Sequence, residues 1–170
     1  MRLRLLLLSL LALALSSCTV YLRSGDLTIS FKTRFGVELS PVITRFDPDR
    51  GTGGVYRVGE SISFIISLTQ PGYITLVGID PDGRTYEFDR MFLREGTHVL
   101  SGPPGQRYLL TPPVGTERVR AIYTNTPPST TVGFNAVYKD DGWDRQIALF
   151  FEQSRSQIRD VAETYFYIYR

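Results

Sequence analysis

The sequence predicts a mainly β fold: an antiparallel β-sandwich, immunoglobulin-like or barrel-like, with one amphipathic α-helix before the last strand. Three observations predict it. Apolar and polar residues alternate with period two over most of the chain, as Ile62, Phe64 and Ile66 do against Ser61, Ser63 and Ser67. Proline and glycine turns punctuate these runs, Gln70-Pro71-Gly72 and Asp80-Pro81-Asp82-Gly83 among them. One stretch alone, from Trp143 to about Gln157, spaces its apolar residues as a helix does.

The chain opens with Arg2 and Arg4 ahead of a leucine- and alanine-rich run that ends at Leu15. A charged end followed by an apolar run is the layout of an export signal. The run is shorter than the roughly 20 residues a helix needs to span a bilayer. Leu15-Ser16-Ser17-Cys18 then resembles the lipobox of bacterial lipoproteins, in which the cysteine sulfur takes a diacylglycerol and cleavage leaves that cysteine first. Residues 1–17 are therefore expected to be removed. Residues 18–25 would form a lipidated tether and residues 26–170 a single β-rich domain. Thr19 after the cysteine points to the outer membrane where the host has two.

The formal net charge of +2 is carried by Arg2 and Arg4, so the remainder is balanced. No basic excess is left to drive nucleic-acid binding. Cys18 is the only cysteine and His98 the only histidine, which leaves the domain no disulfide and no thiolate metal site.

Within the domain, Leu27, Ile29 and Phe31 alternate with Thr28, Ser30 and Lys32 and read as a strand. Val37, Leu39, Val42 and Ile43 form a second run, broken by Pro41. The glycine loop 51–54 is followed by a strand, where a phosphate-binding loop would need a helix. Strands follow at 61–67 and 73–78, and Tyr86 and Phe88 lead the strand that returns from the Asp80–Gly83 turn. Others are expected at 97–100, 106–110, 118–123 and 132–138. In the helical stretch, Ile147, Phe150, Phe151 and Ile158 share a face. Asp140, Asp141 and Asp144 stand near its start and Arg155 and Arg159 near its end, as a helix dipole prefers. The closing strand carries Ala162, Thr164, Phe166 and Ile168 on one side and Tyr165, Tyr167 and Tyr169 on the other.

Tyr56, Gly59 and Glu60 lead into one strand, and Gly72-Tyr73-Ile74 opens the next. Ile79-Asp80-Pro81-Asp82-Gly83 makes a hairpin, Leu100-Ser101-Gly102-Pro103 precedes another strand, and Pro113-Val114-Gly115-Thr116-Glu117 runs into the last. With these pieces in this order, the block from Tyr56 to Tyr123 resembles a bacterial family described as domain of unknown function 4384. The resemblance implies a β-rich, exported or envelope-associated domain, with no established activity or catalytic residues to carry over.

Candidate chemistry is sparse. A Ser-His-acid set would need His98, and Ser101 three residues on points to another face. Asp47, Asp49, Asp80 and Asp82 place carboxylates two apart in turns and are candidate calcium ligands, though aspartate and proline also serve plain turns. Glu60 and Glu87 could pair as glycosidase carboxylates, with no motif in support. The Tyr165, Tyr167 and Tyr169 row is either a partner-binding strip or is buried beneath the helix, which needs an apolar surface to cover; burial is the expectation.

These readings point to a non-enzymatic cell-envelope lipoprotein without cofactor. It would be held on the extracytoplasmic side by its lipid and would bind an envelope protein or wall component. The alternatives are a cell-wall hydrolase with an unrecognised carboxylate site and a glycan-binding module built on exposed tyrosines.

Overall fold

The computed structural model describes residues 24–138 and 141–170. The lipobox residues Leu15, Ser16, Ser17 and Cys18, and also Asp140, lie outside them. In chain order the elements are α1 (Ser24–Phe35), β1 (Ile43–Pro48), β2 (Val55–Arg57), β3 (Ser61–Ile62), β4 (Phe64–Leu68), β5 (Gly72–Ile79) and β6 (Arg84–Leu93). They continue with β7 (Gly96–Leu100), β8 (Tyr108–Leu109), β9 (Gly115–Thr124), β10 (Ala136–Val137), α2 (Gly142–Gln153) and β11 (Arg159–Tyr169).

A six-stranded sheet of order β10-β6-β5-β9-β11-β2 faces a three-stranded sheet of order β1-β4-β7, and β3 and β8 form a small ribbon at one end. The mainly β, sandwich-like architecture agrees with the sequence, and among the described residues no sheet closes into a barrel. Pairing is antiparallel except between β11 and β2. Between the sheets lies a core that includes Phe46, Phe64, Ile66, Ile74, Leu76, Val119, Ala121, Tyr123 and Phe166. A second core, with Val77, Ile79, Ile122 and Val161 from the other face of the large sheet, lies under α1 and α2. The molecule therefore has three layers. Strands β5 and β9 are buried on both faces, which explains why Tyr73–Ile79 reads as a nearly unbroken apolar run.

Residues 27–31, expected as a strand, are helical. In a strand Leu27, Ile29 and Phe31 would share a face. Here Leu27 and Phe31 are buried, one helical turn apart, while Ile29 is 64% exposed on the opposite side. Alternation over five residues fits either period, and packing against Phe151, whose ring lies 6.3 Å from that of Phe31, decides between them. Gly36 ends the helix at φ 65°, its N–H donating to the Lys32 carbonyl, so the chain folds back and buries Val37. The domain thus contains two helices among the described residues, the first starting at Ser24. The strand expected from Val37 starts only at Ile43.

α2 buries Trp143, Ile147, Phe150 and Phe151 and ends at Gln153, four residues earlier than its spacing suggested. Arg155, at φ 51°, turns the chain into β11. Of the strand expected over 132–138 only Ala136 and Val137 pair with β6, because Val132 and Phe134 are drawn under the helices instead. No helix among the described residues is long and apolar enough to cross a membrane.

Candidate functional site

The helices cover only part of the large sheet's outer face. On β11 the outward row begins with Val161 beneath them and continues through Glu163 to Tyr165, Tyr167 and Tyr169. Burial of this tyrosine row, the sequence expectation, is incorrect: Tyr167 and Tyr169 are 39% and 41% exposed, and Tyr165 is half-buried. The helix finds its apolar surface on Val77, Ile79, Ile122 and Val161 and stops short of the tyrosines.

Register places the neighbours of the row. Arg118 lies beside Tyr165, Val55 beside Tyr167, and Arg57 beside Tyr169. Arg57 donates from Nε to the Tyr169 hydroxyl at 2.9 Å and stacks on its ring. The rings of Tyr165 and Tyr167 meet edge to face, 85° apart, and form no flat platform.

The adjoining sheet edge is closed. β2 is the outermost strand, with Gly54 and Val58 bonded inward to β11. Its outward groups are capped: Arg50 Nη1 donates to the Val55 carbonyl at 2.7 Å, and Glu60 takes the Arg57 N–H at 2.8 Å while its own N–H donates to the Arg57 carbonyl. The Arg57 N–H and the Arg50 guanidinium hold the Glu60 carboxyl below its ordinary range. A partner therefore meets side chains here, because little backbone is left to extend the sheet.

A second site lies on the inner side of the sheet, in a cleft of about 250 Å³ between β6, β9 and the β3–β8 ribbon. A bulge in β6 builds its wall. Leu76 pairs with Asp89 and Val77 with Glu87, so Phe88 is an extra residue, and Tyr86, Phe88 and Asp89 all reach this side. Gly78 permits the arrangement, since a β-carbon there would sit 2.6 Å from the Tyr86 ring. The Tyr86 hydroxyl donates to Glu117 and the Tyr108 hydroxyl to Asp89. Burial pushes the Glu117 carboxyl up to about 7; the Tyr86 hydrogen bond opposes this and the charge of Asp80 adds to it. Burial likewise pushes both phenols far above their usual range.

Glu117 was not singled out in the sequence, though a signal was present. It keeps step with Val119, Ala121 and Tyr123, the residues of β9 that face the core. An acid in phase with a core stripe is either paired or functional.

The residues proposed for chemistry are dispersed. Asp47 accepts from Arg45 and Thr52, Asp49 from the Tyr56 hydroxyl, and Asp82 from the Arg84 N–H. Asp80 is half-buried and raised, first by burial and then by Asp82. Among the described residues no group of three or more His, Cys, Asp or Glu gathers as for a metal. His98 Nε2 lies 2.8 Å from the Arg94 carbonyl and the Ser101 hydroxyl 3.0 Å from that of Ser63, so the two do not pair. Glu60 is engaged by Arg50 and Glu87 by Arg90.

No curated protein and no solved structure matches the chain. Residues 55–127, from β2 to just past β9, match the family model described as Domain of unknown function (DUF4384), and the chain thus contains a domain resembling that family.

Proposed function

We propose that this protein is a non-catalytic envelope lipoprotein, anchored through Cys18, whose outer sheet face binds another envelope protein. The observation that carries the reading is the exposed Tyr167 and Tyr169, flanked by Val55 and Arg57 on sheet that the helices leave uncovered. Tyrosine and arginine dominate the residues on which protein interfaces depend. Tyrosine offers a large rigid ring and a polar tip for two torsions of lost freedom. The lipobox-like Leu15-Ser16-Ser17-Cys18 supports a membrane anchor, and the balanced charge of the remaining chain exerts no pull toward anionic polymers.

The other readings draw less support. A glycan platform wants two coplanar exposed rings, and Tyr165 and Tyr167 stand edge to face. A hydrolase wants two free carboxylates across one cleft, and among the described residues lining the inner cleft Glu117 is the only acid. A groove along β6 is lined by Glu87 and Asp89, but Arg90 takes the first and Tyr108 the second.

The test is site-specific photo-cross-linking in intact cells, with the photoreactive residue at position 167 or, as control, at exposed Val99 on the small sheet. The expected result is one discrete adduct with an envelope protein from position 167, absent from position 99 and lost with Tyr169→Ala. No discrete adduct from 167, or the same adduct from both positions, would overturn the reading.

A further inference from the structure

Glu117 is a buried acid without a base. It is 4% exposed, and among the described residues no lysine, arginine or histidine pairs with it. The charged neighbour that acts on it is Asp80, another acid. One carboxylate oxygen accepts from Tyr86. The other has no hydrogen bond among the described residues and is not sealed from solvent, since among those residues the sealed side-chain polar atom without a partner is Trp143 Nε1. Glu117 lines the cleft, and the geometry points to this second oxygen as the one that faces it.

The rest of the lining is of one chemical kind. Phe64, Phe88 and Phe166 contribute rings, as do Tyr86 and Tyr108. Each phenol has one proton to give, and each gives it to a carboxylate. The deep part of the cleft therefore offers an acceptor oxygen and aromatic faces. Its side-chain donors, Gln106 and Arg107, stand at the exposed mouth, where water screens the arginine charge. Acceptors and negative ring faces select a cation that carries N–H groups. The volume of about 250 Å³ lies below the roughly 300–1,000 Å³ of sites that hold larger ligands, so it suits a head group on a short stem.

We propose that this cleft binds a primary alkylammonium group, with the open oxygen of Glu117 as its hydrogen-bonded counter-ion and Tyr86, Phe88 and Tyr108 as its aromatic wall. The ammonium supplies the positive charge that the fold withholds from Glu117. A quaternary ammonium would use the rings but leave the carboxylate without a donor, and a neutral alcohol would leave the charge unpaired. The site is independent of the tyrosine face: Phe166 and Tyr167 are successive residues on opposite sides of β11.

The experiment is a nuclear magnetic resonance titration of the full chain in detergent micelles with n-butylammonium, 1-butanol and tetramethylammonium as probes. Butylammonium is expected to saturate with shifts concentrated on Tyr86, Phe88 and Tyr108. 1-Butanol should bind at least about tenfold more weakly, with tetramethylammonium between the two. Glu117→Gln, close to isosteric, is expected to lower butylammonium affinity by about tenfold or more with its spectrum otherwise retained. The wild-type comparison of probes stands whether or not that variant folds. Equal binding of butanol or of tetramethylammonium, unchanged affinity in a folded Glu117→Gln protein, or absence of saturation would each overturn the assignment.

Discussion

Glu117 sets the clearest expectation at the scale of a single residue. Burial raises its carboxyl from an ordinary 4.5 to about 7, so between those values the folded protein holds a proton that the unfolded chain has released. Stability must then fall as pH rises through that window and level off above about 7, by on the order of 3 kcal/mol from this group. Buried Asp160 and half-buried Asp80 are raised too and tilt the curve the same way, so the quantity to measure is a difference. Urea denaturation of wild type and Glu117→Gln at pH 4.5, 6 and 8 should give curves that diverge with pH, the glutamine variant being the more stable at pH 8. Parallel curves would remove Glu117 as the cause. The period-two phase of β9 announced that Glu117 faces inward, but not its consort Tyr86. That contact depends on Gly78 across the sheet and on the bulge at Phe88, two features of pairing that no local pattern encodes.

At the scale of elements, Arg120 fastens α2 to the sheet. It is 2% exposed, donates from Nε to Glu163 at 2.7 Å and from Nη1 to Asp144 of α2, and lies 3.9 Å from the centre of the Trp143 ring. Removing one member of such a group strands the others. Arg120→Met leaves Asp144 without its cation and Glu163 with only the more exposed Arg118 at 3.8 Å, and is expected to cost about 3–5 kcal/mol. Thermal unfolding checks it, and a loss under about 1 kcal/mol would mean that water already serves these acids. The strands of the sandwich were legible from alternation and turns, and α2 from its three-four spacing. The segment 27–31 was not, since apolar residues at alternate positions also include a pair four apart, and only the buried Phe151 shows which one counts. The partial strand at 136–137 was overestimated for the converse reason: its alternating residues Val132 and Phe134 pack under helices rather than between sheets.

For the whole molecule, three layers leave one sheet partly bare, and the tyrosine face is what the third layer does not reach. Its existence was visible in the sequence, but its exposure was not, because exposure depends on how far α2 extends along β11. The proposed lipid tether is a separate matter of chemistry. Cells given an alkyne analogue of palmitate are expected to label the wild-type protein and not Cys18→Ser, and the unlabelled variant should leave the membrane fraction once its signal is removed. Wild-type protein that takes no label would defeat the lipoprotein reading.

The place of β11 carries one more consequence. It is the last strand in chain order, yet it lies between β9 and β2 and brings Phe166 against Tyr56 and Phe64. Until residues 159–169 are available, β2 has no strand to pair with, Phe64 lacks one of its ring neighbours, and the Arg120 guanidinium lacks Glu163. The small sheet and the β6–β5–β9 part of the large one can pair without it, while the long loop between β2 and β11 closes late at an entropic cost. A chain that lacks β11 therefore presents an unpaired edge of β9 and a core open on the side that Ala162 and Phe166 cover.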